Sequence, residues 1–393
     1  MKKLAFDAFA FAIFLFGQTL FAQSSGSVTQ GLGVTTVVDL MPNCPSNHKT
    51  PLGTITSSDG KNWVVPAENN FQTALKLADL HNSCNGVTPA NLAAANLSNV
   101  PVVEIDPGGE LITGYLFADN YFELYINGVL VGVDAVPFTP FNSSVVKFRV
   151  SKPYTIAVKL VDWEENPGLG SEVNNGSNYH PGDGGFIAQF SDGTVTDASW
   201  KAQVFYIAPI QDLNSVVEKA DGTHSTAAAT VTPTCDAACY GVHYSIPANW
   251  AAASFDDLGW PKAVLFTAAQ VTNQAAYTNF ANTAWPNAKF IWSSNLILDN
   301  VVLVRKTVPA TTGISENEAY EKVRNQVFPN PFSDHIFLKN ATENVVFELS
   351  NAVGQVVFSG RNLEQTDFSN LPSGLYFLKI SGQNAAPQRV FKI

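Results

Sequence analysis

Residues 118–132 read Ala-Asp-Asn-Tyr-Phe-Glu-Leu-Tyr-Ile-Asn-Gly-Val-Leu-Val-Gly, and no other stretch constrains the fold as tightly. Phe122, Leu124 and Ile126 alternate with Tyr121, Glu123 and Tyr125, the period of two that sends successive side chains to opposite faces of a strand. Asn127-Gly128 supplies the two positive-φ positions of a type I′ turn, and Val129-Leu130-Val131 returns as the second arm of a hairpin. Further strands read at 110–118, 145–150 and 154–162, the last with Tyr154, Ile156, Val158 and Leu160 on one face. Only residues 71–81 carry a helical spacing: Phe71, Ala74, Leu75 and Ala78 form a stripe, while Leu77 and Leu80 fall off it. The pattern predicts an all-β sandwich with one or two short helices.

The two ends of the chain read differently from this body. Met1-Lys2-Lys3, an apolar run over residues 4–16 and Ala22 before Gln23 form the layout of a secretory signal peptide, expected to span residues 1–22. The run is shorter than the roughly 20 residues a bilayer span needs, and no later stretch is long enough, so no transmembrane segment is expected once the signal is removed. A formal charge of −11 argues against nucleic acid as a partner, because the phosphate backbone supplies most non-specific binding energy. At the other end, residues 328–393 hold five basic and five acidic residues. The negative charge therefore belongs to the rest of the chain, and the tail reads as a separate unit. Short strands bounded by Asn351, Gly354, Ser373 and Gly374 read at 335–339, 345–349, 355–358 and 375–380, the pattern of a small β-sandwich.

Val327-Phe328-Pro329-Asn330-Pro331-Phe332, then Asn351-Ala352-Val353-Gly354-Gln355, then Leu371-Pro372-Ser373-Gly374-Leu375-Tyr376, and a terminal Val390-Phe391-Lys392-Ile393 resemble the type A C-terminal sorting domain of the type IX secretion system. The resemblance implies the type IX machinery as a partner, passage from the periplasm across the outer membrane of a Gram-negative bacterium, and a destination that is secreted or on the outer cell surface. Residues 309–326, mostly small and polar at their start, read as the linker before a sorting domain at 327–393.

The hairpin at 118–132, Gly184-Gly185-Phe186-Ile187-Ala188, Asp192-Gly193-Thr194 and Asp197-Ala198-Ser199-Trp200-Lys201 are similar to galactose-binding-like jelly-roll modules of bacterial glycosidases, rhamnosidases included. Phe255-Asp256-Asp257-Leu258-Gly259-Trp260-Pro261 and the segments around Trp292 and Arg305 resemble pieces of the same kind of module. The resemblance implies a jelly-roll body over residues 101–308, in one or two modules. Residues 23–100 then form an N-terminal, disulfide-containing region. Many such modules bind sugars and others only support a neighbour, so this likeness speaks to fold more than to function.

Four cysteines in an exported chain favour disulfides, with Cys44 paired to Cys84 and Cys235 to Cys239. His48 and His81 near the first pair and His243 near the second leave zinc sites as the other reading. Glu164-Glu165 and Asp256-Asp257 are adjacent pairs whose members point apart on a strand, and Gly-x-Ser-x-Gly, His-Glu-x-x-His and phosphate-loop motifs are lacking, so no catalytic residue is assigned. Trp163, Tyr179, Trp200, Tyr206, Trp250, Trp260, Trp285 and Trp292 offer flat faces for sugar rings. Most of them are expected in the core, with Trp163 and Tyr179 the better ligand candidates.

Residues 101–200 hold thirteen acidic and four basic groups. Among the acidic ones, Asp162, Glu164, Glu165, Glu172 and Asp183 fall in a long Gly- and Asn-containing loop over 162–185. Hard oxygen ligands on such a backbone suit Ca²⁺, with Asp162, Glu164, Glu165 and Asp183 as the expected ligands and Trp163, Tyr179 and His180 placed to meet a sugar. The reading is a secreted or cell-surface carbohydrate-binding or adhesion protein that acts by recognition without chemistry. A polysaccharide-degrading enzyme or its accessory subunit, and a structural surface protein, are the alternatives.

Overall fold

The computed structural model describes residues 26–44, 46, 48–231, 236–272, 274–310, 327–338, 346–380 and 387–393. The signal segment at 1–22, linker residues 311–326 and Cys235 lie outside the described residues. The chain divides into two units between Ala310 and Thr311.

The body is built on two sheets that share one hydrophobic core. The first runs, edge to edge, Ser27–Gln30, Tyr240–His243, Lys201–Ile210, Asp299–Val308, Tyr154–Val161, Tyr121–Ile126 and Val129–Val133. The second runs Val264–Phe266, Phe290–Trp292, Gly185–Phe190, Glu110–Asp119, Ser143–Val150 and Ala78–His81, with Val102–Glu104 paired in parallel to Ser143–Val150. The chain crosses repeatedly from one sheet to the other, so large side chains such as Phe122, Phe186 and Trp200 interlock between them. The hairpin forms as its sequence requires: Ile126 pairs with Val129 across Asn127 and Gly128, at φ 51° and 84°. Two short helices occur, Ala268–Val271 and Ala275–Thr278.

The described residues from 26 to 100 do not stand apart from this sandwich. Ser27–Gln30 is an edge strand of the first sheet and Ala78–His81 an edge strand of the second. Val34–Val37, Leu52–Thr56 and Asn62–Val65 make a three-stranded sheet of their own. Residues 250–308 likewise complete the same two sheets, so the body is one module.

The helix expected at 71–81 is replaced by a turn and a strand. Leu77 N–H donates to the Val133 carbonyl and Val133 N–H to the Leu75 carbonyl, both at 2.9 Å, and Ala78–His81 continues along Ser143–Val145. The backbone groups a helix would have bonded internally are taken by the sheet edge. Leu77 and Leu80, off the helical stripe, are buried together with Phe71, whereas Leu75 on the stripe is exposed.

Tyr154–Val161 is buried along its whole length. Tyr154, Ile156, Val158 and Leu160 line the shared core, as their period predicts. The opposite face carries Thr155, Ala157 and Lys159 and is covered by the N-terminal region: Lys159 Nζ donates to the Glu68 carbonyl at 2.7 Å and pairs with Glu123 at 2.9 Å.

In the tail, Val356–Gly360, Phe347–Asn351, Gly374–Ile380 and Gln388–Lys392 form a four-stranded sheet, and Val327–Phe328 pairs with Phe337–Leu338. Phe332, Ile336, Leu349 and Val390 fill its separate core. The quoted motifs have local reasons. Asn330 donates through Nδ2 to the Arg389 carbonyl at 3.1 Å and accepts from Phe391 N–H at 2.9 Å, which ties the segment to the last strand. Asn351 Oδ1 accepts from Gln355 N–H at 2.9 Å around Gly354, whose φ of 83° favours glycine.

Cys44 and Cys84 form a disulfide across 40 residues of sequence. Cys239 is also disulfide-bonded, while its expected partner Cys235 lies outside the described residues. The Cys44–Cys84 loop joins a segment beside the three-stranded sheet to the turn after Ala78–His81. Replacing both cysteines with serine is expected to cost on the order of 4 kcal/mol by loop-closure entropy, measured by urea denaturation under non-reducing conditions. An unchanged transition would show that the bridge does not constrain the unfolded chain.

Candidate functional site

The strand Glu110–Asp119 ends, and the segment after Tyr154–Val161 begins, at one end of the sandwich. There Asp119 and Asp162 face Glu172 and Asp183 around a cleft of about 350 Å³. Glu172 is carried by a small ribbon, Glu172–Asn174 paired with Ser177–His180 and turned through Asn175 and Gly176 at φ 46° and 85°. This Asn-Gly pair is a turn signal of the same kind as Asn127-Gly128. Asp183 sits in a run of glycines whose backbone lies against the core. A Cβ at Gly184 would come within 2.2 Å of the Trp292 ring, so no larger residue fits there.

The four carboxylates differ in what supports them. Asp119 accepts from Asn120 Nδ2 at 2.8 Å. Asp162 is only 5% exposed, and among the described residues no hydrogen bond or ion pair reaches its carboxylate. Glu172 and Asp183 also lack side-chain hydrogen bonds among the described residues. Burial, reinforced by the neighbouring carboxylates, holds Asp119 and Asp162 well above the usual carboxylate range. Burial pushes Asp183 up to about 6. Burial also pushes Glu172 up to about 7, opposed by His48 and reinforced by Glu165 and Asp183.

The structure brings Asp162 and Asp183 together and sends Glu164 and Glu165 elsewhere. Glu164 accepts from Gly168 N–H at 2.7 Å, from Gly170 N–H and from the Tyr206 hydroxyl, closing its own loop. Glu165 pairs with His48 at 2.8 Å and accepts from Lys49 and Val173 N–H at 2.9 Å, tying the N-terminal region to the ribbon. The four expected Ca²⁺ ligands are therefore not assembled. Among the described residues, no group of three His, Cys, Asp or Glu side chains is placed to hold a metal ion. Trp163 is 1% exposed and packs edge-on against Tyr121, which leaves no face for a sugar. Tyr179 is half-buried and His180 exposed on the ribbon, and neither lines the cleft. Asp256 and Asp257 separate as expected: Asp257 pairs with Arg305 at 2.8 Å, and Asp256 accepts from Leu258 N–H.

A second and larger cleft, about 680 Å³, opens where the N-terminal cover meets the outer face of the first sheet. Trp63, His243 and Tyr206 stack along it, with ring centroids 5.0 Å apart for Trp63 and His243 and 4.3 Å for His243 and Tyr206. Trp250 stands on the cleft wall, edge-on to Tyr125 at 5.3 Å. Its backbone is pinned by Arg305, which donates to the carbonyls of Trp250 and Ala252. Burial pushes His243 down to about 3, so the ring is neutral at pH 7 and acts as an aromatic surface. Lys61, Asn62, Glu68 and Ser245 supply polar groups among the aromatic faces. Tyr206 and Trp250 are among the aromatic residues singled out by sequence. Trp63 is not, because only the fold of the N-terminal region places it opposite them.

Residues 326–392 match the family of secretion system C-terminal sorting domains. That match implies export to the cell surface or secretion through the type IX machinery. No helix among the described residues is long and apolar enough to cross a membrane. No curated protein matches the chain. No solved structure matches it either.

The acidic cleft gives the body a distinctive pH response. A carboxyl whose folded pKa lies above its unfolded value of about 4 binds its proton more tightly in the native state. Stability then falls as pH rises from about 4 through the folded values near 6 and 7. Asp183→Asn, which removes one such group, is expected to raise stability at pH 7.5 by on the order of 1–3 kcal/mol and to leave it unchanged at pH 4. Thermal melts at the two pH values measure this, and an equal shift at both would sink the assignment.

Proposed function

We propose that the exported body is a carbohydrate-binding protein that recognises its ligand in the aromatic cleft. The observation that carries this reading is the pair of half-buried indoles, Trp63 and Trp250, on the walls of a 680 Å³ cleft. Aromatic faces stack against the C–H face of a sugar ring, while polar groups beside them bond its hydroxyls. Small-molecule clefts commonly combine apolar walls with a few fixed polar groups in this way. Lys159 is held by Glu123 and by the Glu68 carbonyl, so its ammonium is a fixed part of the cleft floor. Arg305 plays a positioning part, because its contacts hold the segment that carries Trp250.

A glycan array probed with the exported protein tests this reading. Trp63→Ala and Trp250→Ala are each expected to weaken the array hits by about tenfold or more, from an aromatic contact of about 1.5 kcal/mol. Circular dichroism should remain unchanged, since both side chains reach the surface. An array without hits, or hits indifferent to both substitutions, would reject the cleft as the site.

The sorting tail makes a separate prediction. Exported protein is expected to begin near Gln23 and to lack the segment that starts at about residue 327, as read by intact mass. Deleting residues 327–393 is expected to hold the chain inside the outer membrane. Appearance of the deleted form in the medium would overturn the sorting role.

A further inference from the structure

We propose that the acidic cleft at the end of the sandwich binds an organic ammonium group, specifically the free amine of an unacetylated amino sugar. The sugar identity rests on the carbohydrate-binding reading above, whereas the ammonium rests on the cleft itself.

Asp162 is the central observation. A carboxylate this deeply buried is expected to be met by hydrogen-bond donors or a cation, because desolvation without compensation costs several kcal/mol. Asp299 and Glu164, buried in the same body, obey that rule. Asp299 accepts from Thr226, Ser293, Ser294 and Asn295, and Glu164 from two backbone N–H groups and Tyr206. Asp162 has no such donor among the described residues, and its carboxylate lines the cleft. Asp183 and Glu172 line the same space, equally without donors, and no lysine or arginine is among the lining residues. His48, the one basic group on the cleft wall, is engaged with Glu165.

Four acidic groups around one space favour a positive partner, whose charge would keep them ionised, and its size and shape follow from the walls. The carboxylates are spread around a space of about 350 Å³ and do not converge in threes as a metal cage does. That volume falls in the range of small-molecule sites and far exceeds what a bare ion fills. The lining also includes the part-exposed Pro140 and Phe141, with Phe138 buried behind them, an apolar surface of no use to a hydrated metal ion. A ring bearing an ammonium group meets both sides. The ammonium donates charge-assisted hydrogen bonds to Asp162 and to one neighbouring carboxylate, and the C–H face of its ring rests on Pro140 and Phe141. Acetylation removes the charge and two of the three donors, so the site discriminates between free and acetylated amino sugars.

Isothermal titration of the exported protein at pH 7 with a glucosamine tetramer, its N-acetylated counterpart, glucosamine monosaccharide and CaCl₂ tests the proposal. The free-amine tetramer is expected to bind at least about tenfold more tightly than the acetylated one. Asp162→Asn and Asp183→Asn are each expected to remove that preference, and Trp63→Ala to leave it intact. Glucosamine binding that depends on Asp162, alongside an array without neutral glycans, would sustain this site and reject the aromatic cleft. Neutral glycans bound through Trp63 with no preference for amines would do the reverse. Stoichiometric Ca²⁺ binding that is lost in Asp162→Asn and excludes the amine would overturn the proposal in favour of a metal.

Discussion

The body depends on one buried carboxylate, Glu123. It lies on the outer face of the strand Tyr121–Ile126, directly across from Lys159 in the register of the neighbouring strand. Both are buried, and removing one member of such a pair typically costs about 3–5 kcal/mol because the other is left uncompensated. Burial acts to raise the Glu123 pKa. The Lys159 charge, the Asn70 N–H and the Tyr125 hydroxyl outweigh it and hold the carboxyl below its ordinary value. Asn70 contributes twice, through its N–H at 2.6 Å and its side-chain amide at 2.9 Å. These contacts fasten the N-terminal region to a sheet face that its own pattern of residues would otherwise leave to water. The aromatic cleft exists because that cover is fixed at Glu68 and Asn70, leaving Trp63 a short distance along the chain to face Tyr206 and Trp250.

Carboxylates in this chain sort by whether the fold supplies them with donors. Glu123, Glu164, Glu165 and Asp299 are each met by several, and each ties together segments that are distant in sequence or closes a loop. Their cost of burial is offset internally, so they are structural. Asp162, Glu172 and Asp183 have no such donors among the described residues and surround open space. The same residue type, within a span of some twenty positions, therefore divides into groups that hold the protein together and groups that await something else.

That division also explains what could be read from the sequence. The hairpin at Asn127-Gly128 and the tail strands depend on local chemistry, a positive-φ turn and alternation, so they are visible without a structure. Compartment and count favour disulfides, and the Cys44–Cys84 bridge forms as expected. The stripe at Phe71, Ala74, Leu75 and Ala78 misleads because two sheets, the first at residue 133 and the second at 143–145, take the backbone bonds of that segment. The sequence groups the acidic loop as one cluster, and the fold divides its members. Trp163 turns inward against Tyr121, Glu164 is claimed by Tyr206 and Glu165 by His48, partners between 42 and 117 positions away. Asp119 and Glu172 join Asp162 through sheet pairing and a ribbon turn, relations that no spacing rule encodes.

The two clefts share a backbone support. Lys159, near the end of the strand Tyr154–Val161, lines the aromatic cleft, and Asp162, one residue past its end, lines the acidic one. Glu164, two residues further, returns to the aromatic side by accepting the hydroxyl of Tyr206, whose ring stacks on His243. A strand with eight consecutive buried residues does not bend easily, because every displacement opens a gap against a close-packed neighbour. The positions of Asp162 and Tyr206 are thus set by one rigid element and one buried hydrogen bond. A ligand bound in either cleft as proposed would meet a preformed wall, which limits the ordering entropy lost on binding. Two such proposed sites on one rigid scaffold would suit a polymeric ligand, since contacts made at one would raise the effective concentration at the other when the polymer can span both.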